Sequence, residues 1–139
     1  MFKILSLKGI LLSLFIFLSF LNGSENMSIN AKIGEKSLKI VLEDSKTAKE
    51  FKSLLPITLK MKDLNNNEKH ITLPKSLTTN SKNPLMINKG DLMLYGDDTL
   101  VLFYETFSTS YSYTKIGTIE DTTNLKELLG SKTITITFE

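Results

Sequence analysis

DLMLYGDDTLVLFYETFSTSYSY, residues Asp91–Tyr113, is the stretch on which the fold turns. Asp91–Tyr95 and Thr99–Glu105 flank Gly96-Asp97-Asp98, two strand-like runs around a turn signal, and so predict a hairpin. The second run begins with LVLFY after Thr99, apolar on both faces, and reads as a strand covered on both sides. Beyond Glu105, hydroxyls and aromatics alternate with hardly a charge. After residue 24 the chain has eight aromatics, and six of them lie between Tyr95 and Tyr113. Aromatics clustered beside a buried strand either plug the end of a barrel or line a pocket.

Upstream, Ile29, Ala31 and Ile33 alternate with polar residues, Gly34-Glu35 turns, and Leu38, Ile40 and Leu42 resume the alternation, which predicts another hairpin. Asp44–Leu55 switches to helical spacing. Thr47 with Glu50 three residues on reads as a capping box, and Ala48, Phe51, Leu54 and Leu55 form one apolar stripe. Pro56 stops the helix, because the residue before a proline is pushed out of the helical region. Ile57, Leu59 and Met61 predict a strand. Asp63–Lys69, with three consecutive asparagines, reads as a turn or loop. His70–Leu73 is a short strand ended by Pro74, Lys75–Asn83 a polar surface loop, and Met86–Ile87 a brief pairing segment.

Downstream, Lys115–Glu120 predicts a short strand. Asn124–Leu129 predicts a short helix ended by Gly130, where left-handed geometry is wanted. In Thr133–Glu139, Ile134, Ile136 and Phe138 alternate with threonines. Seven or eight short strands, one main helix and one short helix make a mainly β fold, a barrel or a sandwich. A last strand of this kind is expected to pair with the first, which closes the sheet and hides its edges.

The N-terminus reads as a targeting segment rather than structure. Lys3 and Lys8 are a basic start, Gly9–Leu21 is an apolar core, and Leu21-Asn22-Gly23-Ser24 offers small residues for cleavage after Gly23 or Ser24. Residues 1–24 are therefore expected to be a signal peptide, with a domain over residues 27–139 and a periplasmic or secreted product. A retained single-span anchor is the alternative, but Lys8 interrupts the run, and a span wants roughly 20 apolar residues. Cleavage would remove Lys3 and Lys8, leaving 15 lysines against 15 acidic residues. No basic face is then left to suggest nucleic acid or anionic lipid as partner. The remaining chain of about 115 residues suits one domain and one modest core. Cysteine, arginine and tryptophan are absent. An exported chain without disulfides holds itself together by packing, and it has no thiol nucleophile and no thiolate metal site.

The order of these segments resembles a known family. VLEDSKTAKEFKSLLP (Val41–Pro56) is similar to the first strand-to-helix segment of cyclophilins, with Thr47, Ala48 and Phe51 at the matching helix positions. DLMLYGDDTLVLFYE (Asp91–Glu105) is similar to the cyclophilin hairpin leading into a paired-aromatic strand, here Phe103-Tyr104. KIGTIED (Lys115–Asp121) is similar to the strand that follows. From Ile29 onward the chain resembles the compact bacterial cyclophilin-like family, on Leu55-Pro56, Gly90–Gly96, Leu102–Tyr104, Thr109–Tyr113 and Ile116-Gly117. The resemblance implies a closed eight-stranded barrel with a helix at each end. In cyclophilins an arginine within a Phe-His-Arg segment stabilises the twisted prolyl amide. This chain has neither that segment nor any arginine, and lysine lacks the planar fork. Rotation about an ordinary amide meets a barrier of about 18–20 kcal/mol, and catalysis works by stabilising the rotated state. Little or no isomerase activity is therefore expected.

Other chemistry is sparse. His70 is the sole histidine, with no G-x-S-x-G elbow to build a hydrolytic triad around it, and it reads as a strand-start residue near the surface. No metal and no cofactor are expected. The pairs Glu43-Asp44, Asp97-Asp98 and Glu120-Asp121 read as turn chemistry. Glu105 ends an apolar strand. It either reaches solvent or, if desolvated, serves as a base or as an anchor for a cation. The candidate ligand surface is Phe103, Tyr104, Glu105, Phe107, Thr109, Tyr111, Ser112 and Tyr113, rings with hydroxyl partners, with Lys75–Asn83 as a candidate lid over them. The expected function is a monomeric, non-catalytic module that binds a peptide segment or small molecule. The alternatives are a weak prolyl isomerase for exported proteins and a structural subunit.

Overall fold

Period-two alternation writes most of this molecule. The computed structural model describes residues 27–139, and the signal peptide expected over residues 1–24 lies outside them. Strands β1 (Ser28–Ile33) and β2 (Lys36–Leu42) form a hairpin around Gly34-Glu35, with Ile29, Ala31, Ile33, Ile40 and Leu42 buried on one face. Helix α1 (Lys46–Ser53) follows, then β3 (Ile57–Leu64) and β4 (Glu68–Thr72). A short strand β5 (Met86–Ile87) precedes the predicted hairpin of β6 (Asp91–Tyr95) and β7 (Thr99–Phe103). Strands β8 (Phe107–Ser108) and β9 (Thr114–Ile119), helix α2 (Leu125–Leu129) and β10 (Ile134–Phe138) complete the order.

Eight strands close into an antiparallel barrel in the order β1-β10-β3-β4-β7-β6-β9-β2. Closure leaves no unpaired edge to recruit another chain. The expected pairing of last strand with first is present, Ala31 opposite Phe138. The remaining two strands, β5 and β8, form a separate ribbon. At Gly117 the β2–β9 seam approaches closely: a Cβ there would stand 2.7 Å from the Val41 carbonyl oxygen.

A helix sits at each end of the barrel, as the resemblance implies. At the end where Phe138 pairs with Ile57, α1 inserts Phe51, whose ring meets Phe138 edge-on at 5.5 Å. The cap of α1 differs from the sequence reading. Ser45, in extended conformation, is the N-cap and accepts from the Ala48 amide at 3.1 Å. Thr47 and Glu50 are released for another task. The Thr47 hydroxyl donates to the Thr78 carbonyl, and the Glu50 carboxylate accepts from both the Thr78 amide and the Thr78 hydroxyl, each at 2.7 Å. Together they tie the Leu73–Pro84 loop to the helix.

The other end of the barrel is sealed by a polar plug. Lys69 points inward from β4, opposite Leu102, and is fully buried. Its ammonium donates to Asp63 Oδ1 (3.0 Å) and to the carbonyls of Gly130 (2.9 Å) and Lys132 (2.6 Å) beyond α2. The Tyr104 hydroxyl donates to the same Asp63 oxygen. Three donors meet three acceptors, so the buried charge is both paired and satisfied. The expected loop over Asp63–Lys69 is correspondingly shorter: Asp63 and Lys69 face each other in the β3–β4 ladder, and Asn65–Asn67 alone make the turn.

Two apolar clusters result from the alternation in β6 and β7. Leu92, Leu94, Leu100, Leu102 and Tyr104 point into the barrel. Met93, Val101 and Phe103 point outward, where Ile87, Phe107 and Tyr113 cover them. The second face of the LVLFY strand is thus buried by the chain's own aromatic loop. Among the described residues, no helix is long and apolar enough to cross a membrane.

Candidate functional site

The outer wall of the barrel carries a cleft of about 410 Å3. Its floor is the solvent face of adjacent strands. Glu68 and His70 from β4 lie opposite Phe103 and Val101 of β7, and Leu64 of β3 lies opposite Glu68. Asn65 and Asn67 of the β3–β4 turn close one end. Tyr95, Phe107, Tyr111 and Tyr113 supply rings, and Thr99, Ser108, Thr109 and Ser110 supply hydroxyls.

The rings form a continuous chain of contacts. Phe107 leans on Phe103 at 5.7 Å, Phe103 meets Tyr113 edge-on at 5.5 Å, Tyr113 lies 5.7 Å from Tyr95, and Tyr95 meets Tyr111 edge-on at 6.1 Å. Exposure rises along this chain from Phe103 to Tyr111. Phe103 is fully buried and Tyr113 nearly so, whereas Tyr95 is 46% and Tyr111 61% exposed. The buried rings act as a foundation, and the exposed ones stand at the open side of the cleft. Tyr113 is further pinned by a reciprocal pair of 2.9 Å backbone bonds with Lys82, and burial pushes its phenol above the ordinary tyrosine range. Of the six large hydrophobic residues exposed among the described residues, Leu64, Tyr95 and Tyr111 all border this cleft. Scattered exposed hydrophobics need no explanation, but convergent ones mark an interaction site.

The floor is electrostatically unsettled. Glu68 is half-buried, and desolvation, assisted by the nearby Asp63 charge, raises its carboxyl above the ordinary range. It has no ion-pair partner among the described residues. Asn67 Oδ1 is buried and likewise has no hydrogen-bond partner among the described residues. A buried acceptor left without a donor costs about 1–3 kcal/mol.

The eight residues expected at the ligand surface divide into four groups. Phe107, Thr109, Tyr111 and Tyr113 line the cleft. Phe103 lies beneath it. Tyr104 points the opposite way, into the barrel, where burial and its bond to Asp63 raise the phenol's pKa steeply. The aromatic segment therefore does both things its composition allowed, plugging a barrel end with Tyr104 and lining a pocket with its neighbours. Ser112 is exposed away from the cleft, and Glu105 pairs with Lys126 at 3.0 Å on the surface. His70 is not a strand-start residue but sits at the centre of β4 on the cleft floor. The Lys75–Asn83 loop is not a lid over the cleft. It packs Leu77 into the barrel core and borders a separate, polar hollow of about 730 Å3 beside the start of α1. The carboxylate pairs serve turns and surface ion pairs, with Asp121 accepting from the Thr123 amide at 3.0 Å and Glu120 facing Lys39 at 3.4 Å.

Glu68, His70, Asn67 and Tyr95 were not among the expected site residues. The signal that locates Glu68 and His70 is the alternation of EKHIT, visible once Lys69 is accepted as the inward-facing residue, and the alternation of DLMLY puts Tyr95 on the outer face with Met93. Comparison with curated proteins finds no match. Comparison with protein families finds one over residues 31–139, which takes in all of the barrel from the middle of β1, the aromatic segment and the cleft. With the closed eight-stranded barrel and the helix at each end, that match establishes that the chain belongs to the cyclophilin-like family.

Proposed function

We propose that this protein is an exported, non-catalytic binding module whose outer-wall cleft holds a peptide segment or a small molecule. The observation that carries the reading is the convergence of exposed Leu64, Tyr95 and Tyr111 over a rigid base of Phe103 and Tyr113. Concave sites that combine aromatic walls with a few placed polar groups are the usual form of a ligand pocket. Pre-packed rings also lose little freedom when a ligand arrives. Isomerisation finds less support. The groups lining the cleft offer hydroxyls, amides, one imidazole and the Glu68 carboxylate, and the chain has no arginine to stabilise a rotated amide. Export rests on the N-terminal pattern, and cleavage after Gly23 or Ser24 would be read directly from the mass of the mature protein.

Native mass spectrometry of protein purified gently from its own host tests the binding reading. A co-purifying mass that is lost from Tyr111→Ala, with the melting temperature unchanged within about 3 °C, supports it, since Tyr111 touches only the rim of the ring chain. A Tyr111→Ala protein that retains the bound mass as fully as the parent overturns it. A protease-coupled prolyl-peptide assay separates the alternative. A rate equal to the uncatalysed one at micromolar protein removes the isomerase.

A further inference from the structure

We propose that the ligand of this cleft carries an organic cation with N–H donors, an ammonium or guanidinium, seated against the Glu68 carboxylate in the cleft that Asn67, Tyr95 and Tyr111 also line. The inference rests on the binding reading above and specifies the chemistry of what binds.

Three observations converge. Glu68 is a half-buried carboxylate without a counter-ion among the described residues, whereas Asp63 and Asp91, whose side chains are largely buried, each lie within 4.0 Å of a lysine ammonium. None of the described residues lining the cleft is a lysine, so no ammonium of the wall stands in for the missing partner. Asn67 Oδ1, at the same end of the floor, is a buried acceptor lacking a donor among the described residues. A carboxylate and an amide oxygen both want N–H groups, and only a cationic donor answers the charge as well.

The walls suit the same group. The ring faces of tyrosine carry negative potential and attract a cation, more strongly once it is shielded from water. Tyr95 and Tyr111 meet edge to face, so the pair keeps a ring face available at the mouth of the cleft. An anionic ligand would instead face Glu68, with the Asp63 charge behind it, and meet repulsion. A purely apolar ligand would bury Glu68 still further without satisfying its charge. The requirement is met equally by the side chain of a basic residue in a peptide and by a free amine.

An amide NMR titration at low ionic strength distinguishes these outcomes. The probes are N-acetyl-lysine methylamide, its norleucine counterpart, and 1,5-diaminopentane. The lysine derivative is expected to shift the amides of Glu68–His70 and Tyr111–Tyr113 with a Kd at least about tenfold below that of the norleucine compound. Glu68→Gln is expected to abolish the difference while keeping the spectrum and the melting temperature of the folded parent. Tighter binding by the lysine derivative than by the diamine assigns a peptide side chain, and the reverse assigns a free amine. Equal binding of the lysine and norleucine compounds at the cleft overturns the cation but leaves the binding module standing. Absence of shifts at these residues with every probe also overturns it, and the Tyr111→Ala measurement then decides separately whether the cleft binds anything.

Discussion

Lys69 and Glu68 are neighbours in sequence and opposite in circumstance. Lys69 points into the barrel and spends its three donors on Asp63, Gly130 and Lys132. Glu68 points out, half-buried and unpaired among the described residues. Lys69→Met keeps the bulk but strands the Asp63 carboxylate and two carbonyls. Removing one partner of a buried pair costs about 3–5 kcal/mol, and thermal or urea denaturation reads the loss. Burial alone would raise the Asp63 pKa. The hydrogen bonds from Tyr104 and Lys69 and the Lys69 charge outweigh it, and the carboxyl ends below its ordinary value of 3.8. A lowered folded pKa means that the ionised form favours the fold. The contribution is complete above that ordinary value and disappears as pH falls through the lowered one. The parent should therefore lose stability on the acid side over this window, and Asp63→Asn should flatten that part of the curve of melting temperature against pH. These same residues explain what the sequence hid. Strand β4 was misplaced because its inward positions hold lysine and isoleucine rather than two apolar residues, and the end of β3 because its inward position holds Asp63. Period-two reading looks for hydrophobes on the buried face, and a satisfied ion pair there passes for a loop.

At the level of elements, the strands defined by apolar alternation alone were legible: β1, β2, the β6–β7 hairpin and β10 stand where the pattern puts them, and Gly130 closes α2 at φ +60°. The α1 cap was not, because Thr-x-x-Glu reads equally as a local capping box and as two side chains turned toward a distant loop. Only tertiary contact chooses, and the Leu73–Pro84 loop chose the second. Glu50 consequently works as a clamp. The Thr78 amide and hydroxyl hold its carboxyl below the usual value of 4.5. The sign matches that of Asp63: the clamp is complete above that value and opens as pH falls through the lowered one. The Thr78 amide resonance in NMR should titrate with a midpoint below 4.5, and Glu50→Gln should remove that titration while leaving the barrel's cross-strand amides unmoved. The candidate site was half legible for a related reason. Its wall is one continuous segment, Phe107–Tyr113, and announces itself by composition. Its floor is assembled from strands that meet only on folding.

The whole molecule is a barrel with cores on both sides of one wall. Residues of β6 and β7 alternate between the interior and an outer cluster that the aromatic loop covers, and this is why LVLFY reads apolar on every face. The arrangement separates the residues that hold the fold from those that line the cleft. The interior and the polar plug hold the fold, and the outer cluster holds the rings still while their exposed members face the cleft. The barrel's closure also has a consequence in time. Strand β10 is inserted between β1 and β3, and β1 has no other partner on that side. A nascent chain interrupted before Ile134 leaves β1 and β3 with open edges and the interior uncovered, so native structure cannot be completed during synthesis of the preceding hundred or so residues. Chains ending at Thr133 should show no cooperative thermal transition, while adding residues 134–139 restores one. The long separation between the joined strands makes folding a late and slow event, and until it happens the polypeptide has no closed barrel. That is the form in which a narrow export channel could pass it, if export is its route.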